Sequence, residues 1–109
     1  MRDKIILFSK ESFAEETETV LGSAVTRVKK YHDAEGVHTG FWECFPGSFT
    51  IEAHAADEVC HILEGEGAIT HADGTVCNIK AGDSFFIPRG TYMTWTVEAY
   101  LKKVYMVSQ

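Results

Sequence analysis

Two stretches decide the fold: Glu58-Val59-Cys60-His61-Ile62-Leu63-Glu64-Gly65 and Gly82-Asp83-Ser84-Phe85-Phe86-Ile87-Pro88-Arg89-Gly90. Each carries β-branched and aromatic residues into a glycine or proline, the pattern of a strand running into a turn. Working outward, similar runs occupy residues 24–31, 39–45, 49–54, 58–64, 67–71, 75–79, 84–88, 91–97 and 100–107. Asp73-Gly74 suits a tight hairpin, because glycine accepts the positive φ that primed turns require, and Gly65-Glu66-Gly67 suits another sharp reversal. So many short strands in 109 residues imply an all-β sandwich or small barrel.

Composition fits one ordinary globular domain, with 45% hydrophobic and 24% charged residues. Sixteen acidic against ten basic residues leave a net charge of −6, and the basic residues never run beyond pairs such as Lys29-Lys30 and Lys102-Lys103. No nucleic-acid partner is expected, since phosphate neutralisation needs a basic face. No window approaches the roughly 18–20 apolar residues of a membrane span, so no membrane partner is expected and a cytoplasmic location fits best. Cys44, Cys60 and Cys77 are odd in number, lack zinc-knuckle spacing and read as free thiols. Residues 1–22 differ in character from residues 23–109 and form an N-terminal arm. Ser9 could cap a short helix through Ser12-Phe13-Ala14-Glu15-Glu16, or the segment could lay Phe8 and Phe13 over the barrel.

With these motifs in place, the chain resembles the cupin superfamily. The first cupin motif is H-x-H, three or four residues, Glu, six residues, Gly; the second is Gly, five residues, Pro, x, Gly, two residues, His. Glu58 and Gly65 keep the first spacing, and Gly82, Pro88 and Gly90 keep the second. Gly40-Phe41-Trp42-Glu43-Cys44 with Pro46-Gly47, Thr94-Trp95 and Lys103-Val104-Tyr105 are similar to the small single-domain group related to the (S)-ureidoglycine aminohydrolase cupin domain, the DUF861 or Cupin_3-like group. The resemblance covers about residues 38–107. It implies a single-domain jelly-roll β-barrel, often a homodimer, with a small-molecule pocket at one end.

The resemblance also implies where a metal would sit. Carried over position by position, the family's ligand places fall on Glu52, His54, Glu58 and Met93, so two expected histidines are replaced. Glu52 and His54, two apart on one strand, would share a face that Glu58 joins across the next turn. Glu52, His54 and Glu58 would suit Mn²⁺, Fe²⁺ or Zn²⁺, whereas the Met93 thioether adds little to an oxygen-rich site. The expected cofactor is therefore either none or one divalent metal. Without a metal, Glu52 and Glu58 cannot both be ionised cheaply inside an apolar barrel, so one holds a proton unless His54 takes it. Glu58 and His54 are then the candidate catalytic acid and base.

Alternation from Glu58 places Cys60 and Ile62 on its face and His61 and Leu63 on the other, which excludes a Cys60–His61 nucleophile pair. Cys60 is a candidate pocket residue or an inert buried thiol. Alternation from Met93 adds Thr91, Trp95 and Val97, making Trp95 a candidate wall for a flat ligand or a core residue. Glu43 either faces solvent or pairs with a base such as Lys103. His32, His38, His61 and His71 read as surface residues, and His61, Leu63 and Tyr105 as an outer patch for a dimer. The expected function is binding of a compact polar metabolite (ureide, amide or carboxylate) by Glu52, His54, Glu58, Cys60, Met93 and Trp95, with hydrolase or lyase activity as one outcome. A non-catalytic binding or regulatory module is the other.

Overall fold

In the computed structural model, which describes residues 5–10 and 18–109, the β-rich runs become nine antiparallel strands. They are β1 (Glu18–Leu21), β2 (Ala24–Ala34), β3 (Val37–Cys44), β4 (Gly47–Ile51), β5 (Asp57–His71), β6 (Val76–Lys80), β7 (Ser84–Ile87), β8 (Met93–Val97) and β9 (Leu101–Ser108). Their order is β1-β2-β3-β9-β5-β8-β4, with β6 and β7 also pairing β5. The path bends into a nearly closed jelly-roll barrel, as expected from the cupin spacing. No helix among the described residues is long and apolar enough to cross a membrane.

The reversal expected at Gly65-Glu66-Gly67 does not occur. A single strand, β5, runs through these residues and changes partners: Asp57 to Gly65 pair with β9, and Ala68 to His71 with β8. A register slip between Ile62 and Glu64 and a φ of +81° at Gly65 bend the strand, so a bulge turns the corner where a hairpin was expected. Glycine is required here, because a Cβ would lie 1.9 Å from the Tyr100 carbonyl oxygen. Gly65→Ala is expected to cost about 3 kcal/mol, the upper end for a strained residue, measured by urea unfolding. The Asp73-Gly74 hairpin does form, with Gly74 at φ +89° and the Thr75 N–H donating to Asp73 Oδ1 at 2.9 Å.

Strand alternation builds the core. Trp42 and Cys44 of β3, Cys60 and Ile62 of β5 and Leu101 of β9 meet Phe49 of β4 and Met93, Trp95 and Val97 of β8, all buried. The N-terminal region takes part in the sheet through β1, which pairs with β2 from Glu18 to Leu21. Phe8 covers the outer face, meeting Tyr31 and Phe41 edge-on at 5.4 and 5.8 Å. The helix expected over Ser12 to Glu16, and Phe13 with it, lie outside the described residues.

Two expectations about the outer face are corrected. Glu43 is buried and pairs with Arg27, its register partner on β2, rather than with Lys103. Tyr100 donates its hydroxyl to Glu43 Oε1 at 2.6 Å, and burial together with that carboxylate pushes the phenol pKa up. Tyr105 faces inward and does not belong to an outer patch.

Candidate functional site

Between the two halves of the barrel lies a cavity of about 190 Å³. Its walls are mostly hydrocarbon and aromatic: Trp42, Phe49, Ile51, Met93 and Trp95, with Leu21 and Val28 from the first two strands. Phe49 stacks parallel to Trp95 at 6.0 Å, and Trp42 meets Trp95 edge-on at 5.7 Å. The polar lining consists of His54, Glu58, Lys103 and Tyr105.

These polar groups are tied together. Alternation along β9 turns Leu101, Lys103 and Tyr105 inward, and the Lys103 ammonium reaches along the sheet to donate to Glu58 Oε2 at 2.7 Å. The other carboxylate oxygen, Oε1, is 2.8 Å from His54 Nε2. Cys60 donates its thiol to Oε2 at 3.1 Å. His54 follows β4 and is positioned by its backbone, which receives a bond from the Gly90 N–H at 2.8 Å and gives one to the Thr91 carbonyl at 3.0 Å. Gly90 of the second motif and Thr91 beside it thus fix the position of a residue from the first.

The electrostatics follow from burial and charge. Burial alone would raise the Glu58 pKa, but the Lys103 charge and the hydrogen bonds from Lys103, Cys60 and His54 outweigh it and hold the carboxyl below its usual range. Burial opposes the Lys103 charge, yet Glu58 overcomes this and the ammonium is held above its ordinary value. Burial, aided by Glu58 and opposed by Lys103, pushes the Cys60 thiol up to about 12, so it stays protonated. Glu58 is therefore ionised. The expectation that Glu52 or Glu58 holds a proton unless His54 takes it fails, because Glu52 is exposed outside the cavity and a buried ammonium supplies the countercharge for Glu58.

The sequence-expected residues divide accordingly. His54, Glu58, Met93 and Trp95 line the cavity. Cys60 is fully buried behind Glu58 and supports the carboxylate without lining the cavity. Glu52 is exposed and outside the cavity, because β4 ends at Ile51 and the chain bends, so the alternation that was to align Glu52 with His54 does not extend that far. Cys44, Cys60 and Cys77 are free thiols. Lys103 is a site residue absent from the sequence reading; it shares a face of β9 with Leu101 and Tyr105, and the outward assignment of Tyr105 concealed that signal.

A divalent metal does not fit this donor set. Glu52 is absent from it, Met93 offers only a soft thioether, and both Glu58 oxygens are already engaged, one by an ammonium. Among the described residues no group of three His, Cys, Asp or Glu side chains is arranged to hold a metal ion.

Comparison with known proteins agrees with this architecture. EutQ from Clostridium difficile superposes with a TM-score of 0.71 at 22% identity, over 79% of this chain and 69% of that one. The polyketide cyclase RemF from Streptomyces resistomycificus gives 0.76 at 18% identity, over 99% and 80%. At these identities the likeness concerns the fold. A DUF861 family protein from Thermotoga maritima is 32% identical over 60% of this chain and 73% of its own, with a TM-score of 0.56. No curated protein matches the chain. The model of the EutQ-like cupin domain matches residues 32–105, most of the barrel just described, and the chain therefore belongs to the EutQ-like cupin family.

Proposed function

We propose that the barrel binds a compact neutral carbonyl compound, an amide or ureide, with its apolar end among the aromatic walls and its oxygen toward Lys103 and His54. The observation that carries this reading is the Lys103–Glu58–His54 chain at the polar side of an otherwise apolar cavity. Because Lys103 and Glu58 already neutralise one another, a carboxylate would bring an uncompensated charge against mostly apolar walls, so neutral carbonyls are favoured over acids.

Size narrows the class further. At about 30 Å³ per water molecule, a cavity of about 190 Å³ holds roughly six non-hydrogen atoms. Six atoms at about 0.7 kcal/mol each give a Kd near 1 mM. Calorimetry with butyramide and ethylurea is expected to show saturable binding in this range, at least tenfold weaker for butyrate, and abolished by Val107→Phe, which fills the cavity from β9, where Val107 also lines it. Failure of both neutral probes to bind would refute the reading.

A catalytic reading of the same site has one observation in its favour. His54 Nε2 is engaged with Glu58, while Nδ1 has no protein partner among the described residues, as in a base oriented by a carboxylate. His54 would exchange protons with the bound compound and Glu58 would orient it, in hydrolase or lyase chemistry. Turnover of a bound probe that His54→Gln removes separates this from a binding module.

A further inference from the structure

We infer that Lys103 is the barrel's resident cation, an ammonium built into the place where a metal would need His54 and Glu58, and that it keeps the barrel from taking up divalent metal ions. The geometry is that of an occupied cation site. Nζ sits 2.7 Å from Glu58 Oε2 and 3.7 Å from Cys60 Sγ, and lies over two indole faces, 4.9 Å from the Trp42 centroid and 4.7 Å from that of Trp95. One carboxylate supplies the countercharge, and two aromatic quadrupoles replace the water that an ammonium loses on burial. A divalent ion approaching His54 and Glu58 would have to displace the hydrogen bond from Lys103 and then remain beside a fixed positive charge in a medium that screens it poorly.

Neither the cation site nor the rejection of metals needs a carbonyl ligand, so their failure and that of carbonyl binding are distinguishable. First, the site has the shape of an alkylammonium receptor. Lys103→Ala removes the three methylenes and the nitrogen beyond Cβ, the skeleton of propylammonium. An excess of n-propylammonium chloride is expected to raise the melting temperature of Lys103→Ala by at least about 4 °C over an equal concentration of sodium chloride, and to leave the wild type within about 1 °C. Lys103→Met, whose side chain refills the channel, is expected to respond less than Lys103→Ala. Second, the wild-type barrel rejects metals. Titration of wild-type protein with Mn²⁺, Ni²⁺ and Zn²⁺ is expected to show no saturable binding that depends on His54. If Lys103→Ala does not fold even with propylammonium present, the wild-type titration alone decides. Equal responses of wild type and Lys103→Ala to propylammonium would overturn the inference, as would one equivalent of metal bound by wild-type protein and lost in His54→Gln.

Discussion

Replacement of Lys103 by Met is expected to destabilise the protein by about 3–5 kcal/mol, the cost of leaving a buried carboxylate without its partner. The Lys103 and Glu58 side chains are 9% and 6% exposed, so little water is available to take over from the ammonium. Glu58→Gln combined with Lys103→Met is expected to recover most of that loss, because the pair then leaves no unpaired charge and the amide keeps contact with His54 and Cys60. Urea unfolding of the four members of the cycle measures the coupling directly. Equal losses in the single and double variants would show that Lys103 contributes through packing alone.

The same pair sets a pH window. With its folded pKa lowered, Glu58 contributes stability that is complete above its ordinary value of 4.5 and is lost as pH falls through the lower folded value. With its folded pKa raised, Lys103 contributes stability that is complete below 10.5 and is lost as pH rises through the higher folded value. The wild type therefore keeps this contribution between those limits, and the double variant lacks both flanks.

Trp95→Ala is expected to cost about 3–5 kcal/mol, the usual penalty for truncating a buried aromatic residue. Trp95 is 2% exposed and touches Phe49, Trp42 and Phe85, so the surrounding rings cannot collapse into the space without losing their own contacts. Lys103 loses one of its two indole faces in the same step. Trp95→Phe keeps an aromatic wall and removes the N–H that has no acceptor, a saving of about 1–3 kcal/mol against the lost volume. Its cost is expected to be well below that of Trp95→Ala. A Trp95→Phe variant as unstable as Trp95→Ala would show that the ring is not packed as described.

Much of this was legible in the sequence because a strand has a fixed period. Alternation placed Cys60 and Ile62 inward, His61 outward, and Met93, Trp95 and Val97 inward, and burial follows that order. The cupin spacing located His54 and Glu58, which the structure brings within hydrogen-bond distance. Period two does not reach Glu52, because β4 ends at Ile51 and strand ends are set by tertiary contacts rather than by local pattern. The β5 corner is not distinguishable from a turn in the sequence, because glycines at 65 and 67 mark hairpins and bulges alike. Lys103 escaped notice for another reason: a lysine defaults to solvent unless a buried countercharge awaits it, and the contact with Glu58 spans 45 positions of chain. Glu43 belongs to the same class, its true partner Arg27 lying across β2 and β3.

The charge state of Lys103 inside the folded barrel is the most direct measurement of all. Lysine-selective NMR, following the Cε and Nζ resonances across the alkaline range with Lys103→Arg for assignment, is expected to show Lys103 fully protonated at neutral pH and titrating above its ordinary 10.5. A Lys103 resonance with neutral-amine shifts at neutral pH would contradict an ammonium–carboxylate pair at the centre of this cavity.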